Sequence, residues 1–215
     1  MHLSPAADTC LLYLVRHGAT DSNLSQPPVL QGNGINGPLA EIGRRQAAQA
    51  ARFFDQVPLD ALYSSPMRRA LESAEIINRS HQLPIQTVSE LVEVGVGSWE
   101  GRDWGEIMAS EPEAYAQHME DPSLHGYPGG ENVCQVAERV VPAIETILRE
   151  NLGKVILVTA HNIVNRVVIA HLNRIPLSQI RHIRQDNCGI NLLRHHKGKT
   201  EVITVNSVFH LRDDA

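Results

Sequence analysis

The sequence predicts an α/β protein in which helices cover both faces of a mostly parallel sheet. Two segments, LLYLVRH (residues 11–17) and VILVTAH (155–161), are continuous aliphatic and β-branched runs that each end in a histidine. Runs apolar on both faces read as central strands buried on both sides. Between them, strand-like and helix-periodic segments alternate, the pattern of an α/β sandwich. The length of 215 residues and a 42% hydrophobic content suit one domain with a substantial core.

The elements follow in order. A helix is expected over residues 41–54, then a strand at DALYSS (60–65). The next helix lies within PMRRALESAEIINRS (66–80), with Ser65 as N-cap and Pro66 at the first helical position. IQTVSEL (85–91) reads as a short strand. Val133, Val136, Ala137, Val140, Ile144, Ile147 and Leu148 keep a helical period, although Pro142 inside the run removes one hydrogen bond. A strand at KVILVTA (154–160), a helix over 162–172, and strands at GINLLRH (189–195) and EVITVNSV (201–208) complete the chain. Residues 95–130 break this rhythm with glycines, prolines and the aromatics Trp99, Trp104, Tyr115 and Tyr127, and are expected to form a lid-type insertion.

Charge and cysteine content narrow the function. With 19 Lys+Arg against 24 Asp+Glu, a net charge of -5 and no long basic run, nucleic acid and anionic membranes are poor partners, and a small substrate fits better. Cys10, Cys134 and Cys188 are odd in number and far apart, which argues against a disulfide framework or a cysteine zinc site. The opening MHLSPAADTC has no basic segment, and its first apolar run stops at Arg16, too short for a signal core or a membrane span. A soluble, cytoplasmic protein is expected.

GNGING (32–37) spells G-x-G-x-x-G, the fingerprint of a dinucleotide cradle. That cradle needs a strand directly before its first glycine and a helix opening at its last. Here the strand ends near Arg16 and Gly37 is followed by Pro38, so the stretch reads as a loop in which Asn and Gly supply positive φ.

Ligand sites in open α/β sheets form beyond the carboxyl ends of the strands, where the two apolar runs deliver His17 and His161. Arg16 precedes His17, and the strand DALYSS leads to a helix start bearing Arg68 and Arg69. Arginine forks and helix N-termini attract anions such as phosphate. The same arginines would repel a metal cation, and no H-E-x-x-H or C-x-x-C spacing occurs. No G-x-S-x-G presents a serine nucleophile and no thiol adjoins the basic cluster, which leaves histidine as the best nucleophile.

LVRHGAT (14–20), YSSPMRRA (63–70), LVEVGVGSWEG (91–101), PGGEN (128–132) and VTAHN (158–162) come in the order seen in the histidine phosphatase superfamily, also called the phosphoglycerate mutase-like family, and the chain resembles it over nearly its whole length. The resemblance implies a three-layer α/β/α sandwich, a single domain over 1–215 with a lid near 95–130, and a phosphohistidine intermediate. It casts His17 as nucleophile, Arg16, Arg69 and His161 as phosphate-holding residues, and Glu93 as proton donor. Asn23 matches an asparagine that also contacts phosphate, and Thr20, Gln31, Gly32 and Asn162 fall at neighbouring substrate-binding positions. It implies no metal and no cofactor, and a small phosphorylated metabolite as partner. Oligomeric state is open.

Mutases of the family that depend on a phosphorylated cofactor typically continue from the acid into Arg-His-Tyr-Gly and carry a longer insertion, whereas Glu93 is followed here by Val94-Gly95-Val96-Gly97. A phosphatase is favoured, with a mutase-type phosphotransferase and an inactive phosphate-binding module as alternatives. Trp99, Trp104, Met108, Tyr115 and Tyr127 are either pocket walls or packing under the lid. Three departures from the family pattern stand out: a longer gap from Asn23 to Gln31-Gly32, Ala40 where a capping threonine is expected, and Asn162 in place of glycine. Asn162 either contacts the phosphate or caps the following helix.

Overall fold

The structure, a computed structural model, describes residues 5–211. Residues 1–4 of the opening stretch and residues 212–215 lie outside the described residues. The chain runs β1 (Thr9–Arg16), α1 (Asp21–Leu24), α2 (Glu41–Phe54), β2 (Ala61–Ser64), α3 (Arg68–Ile77), β3 (Ile85–Thr87), α4 (Trp104–Ser110), α5 (Pro112–Glu120), α6 (Val133–Glu150), β4 (Val155–Ala160), α7 (Asn162–Asn173), β5 (Ile190–His196) and β6 (Lys199–Ser207). Short 3-10 turns occupy Ser89–Leu91, Gly97–Trp99 and Leu177–His182. The six strands are ordered β3-β2-β4-β1-β5-β6; the first four are parallel, and β5 pairs antiparallel with both β1 and β6.

Side chains alternate across each central strand. Leu12 and Leu14 of β1, with Ile156, Val158 and Ala160 of β4, pack beneath α6 and α7, together with Val136, Val140, Val164 and Val167. Val15, Val155 and Leu157 point the other way, against Ala47, Ala50 and Phe54 of α2 and Ala74 and Ile77 of α3. Both faces of the sheet are therefore apolar, and the three-layer α/β/α sandwich follows. Pro142 sits within an unbroken α6 on its solvent side, where the missing backbone donor is cheapest to lose.

Two local expectations are corrected. The helix after β2 starts at Arg68 with Met67 as N-cap, not at Pro66 with Ser65. Ser65 stays with the strand instead, its N–H donating to Thr159 O at 2.9 Å. The strand at 85–91 stops at Thr87, because β3 is an edge strand with little buried surface and the chain turns at Ser89–Leu91 to enter the core through Leu91. Ala40 does cap α2 without a side-chain hydrogen bond.

The loop after β1 is held by backbone-to-backbone packing on α2. A Cβ placed on Gly43 would lie 2.0 Å from Ala19 O, and one on Gly18 would lie 2.4 Å from Gly43 O. Both glycines are needed for that approach. Gly43→Ala, which would stabilise an open helix by about 1 kcal/mol, is expected to destabilise this one by about 1–3 kcal/mol through overpacking. A lower urea midpoint checks this; an unchanged or higher midpoint would contradict it.

Candidate active site

Strand register builds the site. Arg16 of β1 lies opposite Ala160 of β4, and Ser64 of β2 opposite Thr159. The next residue of each strand therefore emerges at the same carboxyl edge. His17 N–H donates to Ala160 O at 3.0 Å, and the His17 and His161 ring centroids are 5.2 Å apart. Ser65 Oγ lies 2.7 Å from His161 Nε2.

The contacts assign the imidazole protons. His17 Nδ1 is 2.7 Å from Gly18 O, an acceptor, so the proton sits on Nδ1 and the lone pair on Nε2. Arg69 Nε donates to that lone pair at 3.3 Å. Burial, then Arg16 and Arg69, push the His17 pKa well below its ordinary value, so the ring is neutral near pH 7. Ser65 Oγ accepts from Met67 N–H at 3.3 Å and has no acceptor for its own proton among the described residues other than His161 Nε2, so it donates there. His161 then carries its proton on Nδ1, which is buried without a partner. Its pKa is also held well below the usual value, by burial first and by Arg69 next.

Arg16 donates from Nη1 to Gln185 O at 2.6 Å, while its Nε is buried and unpartnered. Burial lowers its pKa to about 10, which leaves it cationic at neutral pH. Arg69 is 1% exposed beside His17, whereas Arg68 faces solvent. Glu93 is 4% exposed; Oε1 accepts from Val94 N–H at 2.9 Å and Oε2 from Asn162 and Ile163 N–H at 3.0 and 3.3 Å. It therefore sits on the N-terminus of α7, where free N–H groups and the helix dipole hold a carboxylate. Arg16, His17 and Glu93 line one cavity of about 520 Å³. A neutral imidazole whose lone pair is met only by the Arg69 N–H, flanked by guanidinium groups and an unpaired N–H donor, can receive a tetrahedral oxyanion.

The remaining predicted positions separate. Asn23, Gln31 and Asn162 line the cavity. Thr20 does not: its hydroxyl lies 2.8 Å from Gln31 Oε1 and 3.1 Å from Asn23 Oδ1, and so braces the two side chains that do. Gly32 is buried behind the wall. Asn162 is the first residue of α7, with His161 as N-cap, so it does not cap the helix. Its Oδ1 is buried and unpartnered. Trp104 and Tyr127 are walls. Trp99 is fully buried beneath them, and Met108 is exposed on the outer side of α4.

GNGING does cradle an anion, but one from its own chain. Gly32, Gly34 and Ile35 N–H donate to the Glu100 carboxylate at 2.7, 3.3 and 3.1 Å. Cβ atoms on Gly32 and Gly34 would come within 2.8 and 3.1 Å of Glu100 Oε2, which is why glycines stand there. Arg69 grips the same loop from the other side, donating to Gly32 O and Ile35 O at 2.9 Å each. Sequence reasoning missed Glu100, because its loop partners lie more than sixty positions earlier in the chain. It also missed Asn187, whose Nδ2 donates to His17 O and Asn23 Oδ1 at 3.1 and 3.2 Å, and His118, a cavity wall held neutral with a pKa near 4 by burial.

The fold is that of known proteins. Bacillus stearothermophilus YhfR superimposes with a TM-score of 0.88 at 29% identity, covering 94% of this chain and 100% of that one. A family model described as histidine phosphatase superfamily (branch 1) matches residues 12–208, and the chain belongs to that superfamily. Among its relatives, Phosphoserine phosphatase 1 of Hydrogenobacter thermophilus is 27% identical over 93% of both chains, and a metal-independent phosphoserine phosphatase of Arabidopsis thaliana is 34% identical over 93% of this chain and 82% of its own. Relatives named as phosphatases support a phosphatase enzyme.

Two outcomes are expected. NMR titration should show neither His17 nor His161 gaining a proton between about pH 8 and about pH 6, the window in which an ordinary histidine charges; a midpoint inside it would contradict the neutral state of that ring near pH 7. In Glu100→Gln, amide exchange at Gly32, Gly34 and Ile35 should accelerate about tenfold or more while β1 and β4 amides are unaffected, since the loop loses its charged acceptor. Unchanged exchange would show that Arg69 alone holds the loop.

Proposed function

We propose that the protein is a phosphomonoesterase that hydrolyses small organic phosphate esters through a phosphohistidine on His17. The neutral His17 with its lone pair on Nε2, set between Arg16 and Arg69 in the cavity that holds Glu93, carries this reading. A phosphate oxygen takes over the Arg69 N–H that now caps Nε2, which frees the lone pair to attack phosphorus. The ester enters as its monoanion and passes its proton to the Glu93 carboxylate; the ester P–O bond then breaks, and Glu93 gives that proton to the departing alkoxide. Water then attacks the phosphohistidine, giving its proton to Glu93, and the N–P bond breaks to release phosphate. Charge on the transferring oxygens is met by Arg16, Arg69 and the His161 Nδ1–H, with Asn23 alongside, so no metal is required.

The substrate is a small phosphorylated metabolite, in keeping with a cavity of about 520 Å³. A cytoplasmic setting accords with three free cysteines; no helix among the described residues is long and apolar enough to cross a membrane.

A phosphomonoester panel that includes p-nitrophenyl phosphate tests the reading. His17→Ala should lose at least about 10³-fold in kcat, and Glu93→Gln about 10²-fold or more, least with the activated aryl ester. Activity should survive chelators, and added 2,3-bisphosphoglycerate should not divert phosphate from water to an acceptor. Full turnover by His17→Ala would overturn the phosphohistidine route, and phosphoryl transfer in place of release would make the protein a mutase.

A further inference from the structure

Residues 185–188, between the turn Leu177–His182 and β5, bond the end of β1 at three points. Gln185 O accepts from Arg16 Nη1 at 2.6 Å, and Cys188 N–H donates to Arg16 O and His17 O at 3.0 and 3.2 Å. Asn187 makes the third contact and extends it to a second segment: its Nδ2 serves His17 O at 3.1 Å and Asn23 Oδ1 at 3.2 Å.

The partners fix which end of each amide is which. The Asn23 atom that meets Thr20 N–H at 3.1 Å is an acceptor, hence its oxygen, because a backbone N–H only donates. The Asn187 atom that meets two carbonyl oxygens is a nitrogen, since an oxygen there would face two acceptors. Asn187 therefore spends both amide protons inside the protein and, although it lines the cavity, keeps no N–H for a ligand. Asn23 is the reverse case. It too lines the cavity, its Oδ1 is taken, and its Nδ2 bonds nothing among the described residues.

Thr20 does not secure this arrangement by itself. Its hydroxyl has one proton, and Gln31 Oε1 at 2.8 Å is a nearer acceptor than Asn23 Oδ1 at 3.1 Å. Thr20 N–H thus fills one lone pair of Asn23 Oδ1 and Asn187 fills the other. Asn23 stands on α1, a helix of four residues, too short to hold its shape without tertiary contacts.

Resting on the phosphatase reading, we propose that Asn187 is a positioning residue of the phosphate site: anchored on His17 O, it locks the Asn23 amide with Nδ2 turned toward the oxygens of the transferring phosphoryl group. The nucleophile and this donor are then set relative to one another by a side chain that spends nothing on the substrate.

A double-mutant cycle on Asn187 and Asn23 tests this, read by kcat/KM for p-nitrophenyl phosphate and by calorimetric binding of orthovanadate. Asn187→Ala should weaken both by about 3- to 10-fold, the worth of one hydrogen bond. Asn23→Ala should weaken them at least as much, and the double variant should fall within about twofold of Asn23→Ala, because the effect of Asn187 passes through Asn23. Losses that multiply would make Asn187 a prop of its own loop, and no loss would make it a bystander; either overturns the proposal. Should the alanine variant not fold, Asn187→Ser takes its place in the cycle with the same coupling expected. Asn187→Asp keeps the shape but offers no proton, so it should be no better than Asn187→Ala; recovery toward wild type would show that shape suffices and would also overturn the proposal. Orthovanadate binding separates this from the catalytic reading. Coupled losses of vanadate affinity without turnover of any ester would uphold the positioning role and fail the phosphatase. Turnover of p-nitrophenyl phosphate with losses that multiply would do the reverse.

Discussion

The pairing of β1 with β4, and of β4 with β2, is the constraint on which the rest of the structure depends. Arg16 opposite Ala160 and Thr159 opposite Ser64 bring Arg16, His17, Ser65 and His161 to one edge of the sheet. A shift of one residue would turn every side chain of a strand to the other face. Both faces of these strands are apolar, so the register is protected from both sides: slipping it would expose Leu12 and Leu14 to the wrong layer and break the match with α6 and α7. The site inherits its precision from the core.

Burial then does chemical work. Around His17 and His161, low dielectric and two neighbouring arginines both disfavour the imidazolium, so two histidines less than 6 Å apart coexist as neutral rings. Their hydrogen bonds to Gly18 O and Ser65 Oγ put the proton of each on Nδ1 but leave different atoms unpaired with these partners: His17 offers its Nε2 lone pair, His161 its Nδ1–H. The arginines stay charged because a guanidinium keeps its proton even when burial lowers its pKa. A pocket with neutral imidazoles and surplus positive charge is poised for an anionic ligand.

The glycine-rich loop links this charge to shape. Arg69 touches His17 with Nε and the loop carbonyls with its two terminal nitrogens, while Glu100 gathers the loop N–H groups. A G-x-G stretch is suited to an anion because it exposes consecutive N–H groups without side chains in the way. Here the anion is a glutamate, and the result is a wall that ends in Gln31 and fixes the mouth of the cavity.

The periodicity of the apolar residues determined the layers, the order of elements and the strand ends bearing His17 and His161, because those depend only on which faces must leave water. The ordered motifs picked out Glu93, Arg16, Arg69, Asn23 and Gln31 as neighbours of that edge. Tertiary structure alone decided that Ser65 abandons its capping role for His161, that Glu100 fills GNGING, that Thr20 braces rather than lines the cavity, and that Asn187 joins His17 to Asn23. Each of these depends on contact between residues that are distant in the chain or share a hydrogen-bonding partner, and one-dimensional spacing carries no record of which of several available donors or acceptors will be taken.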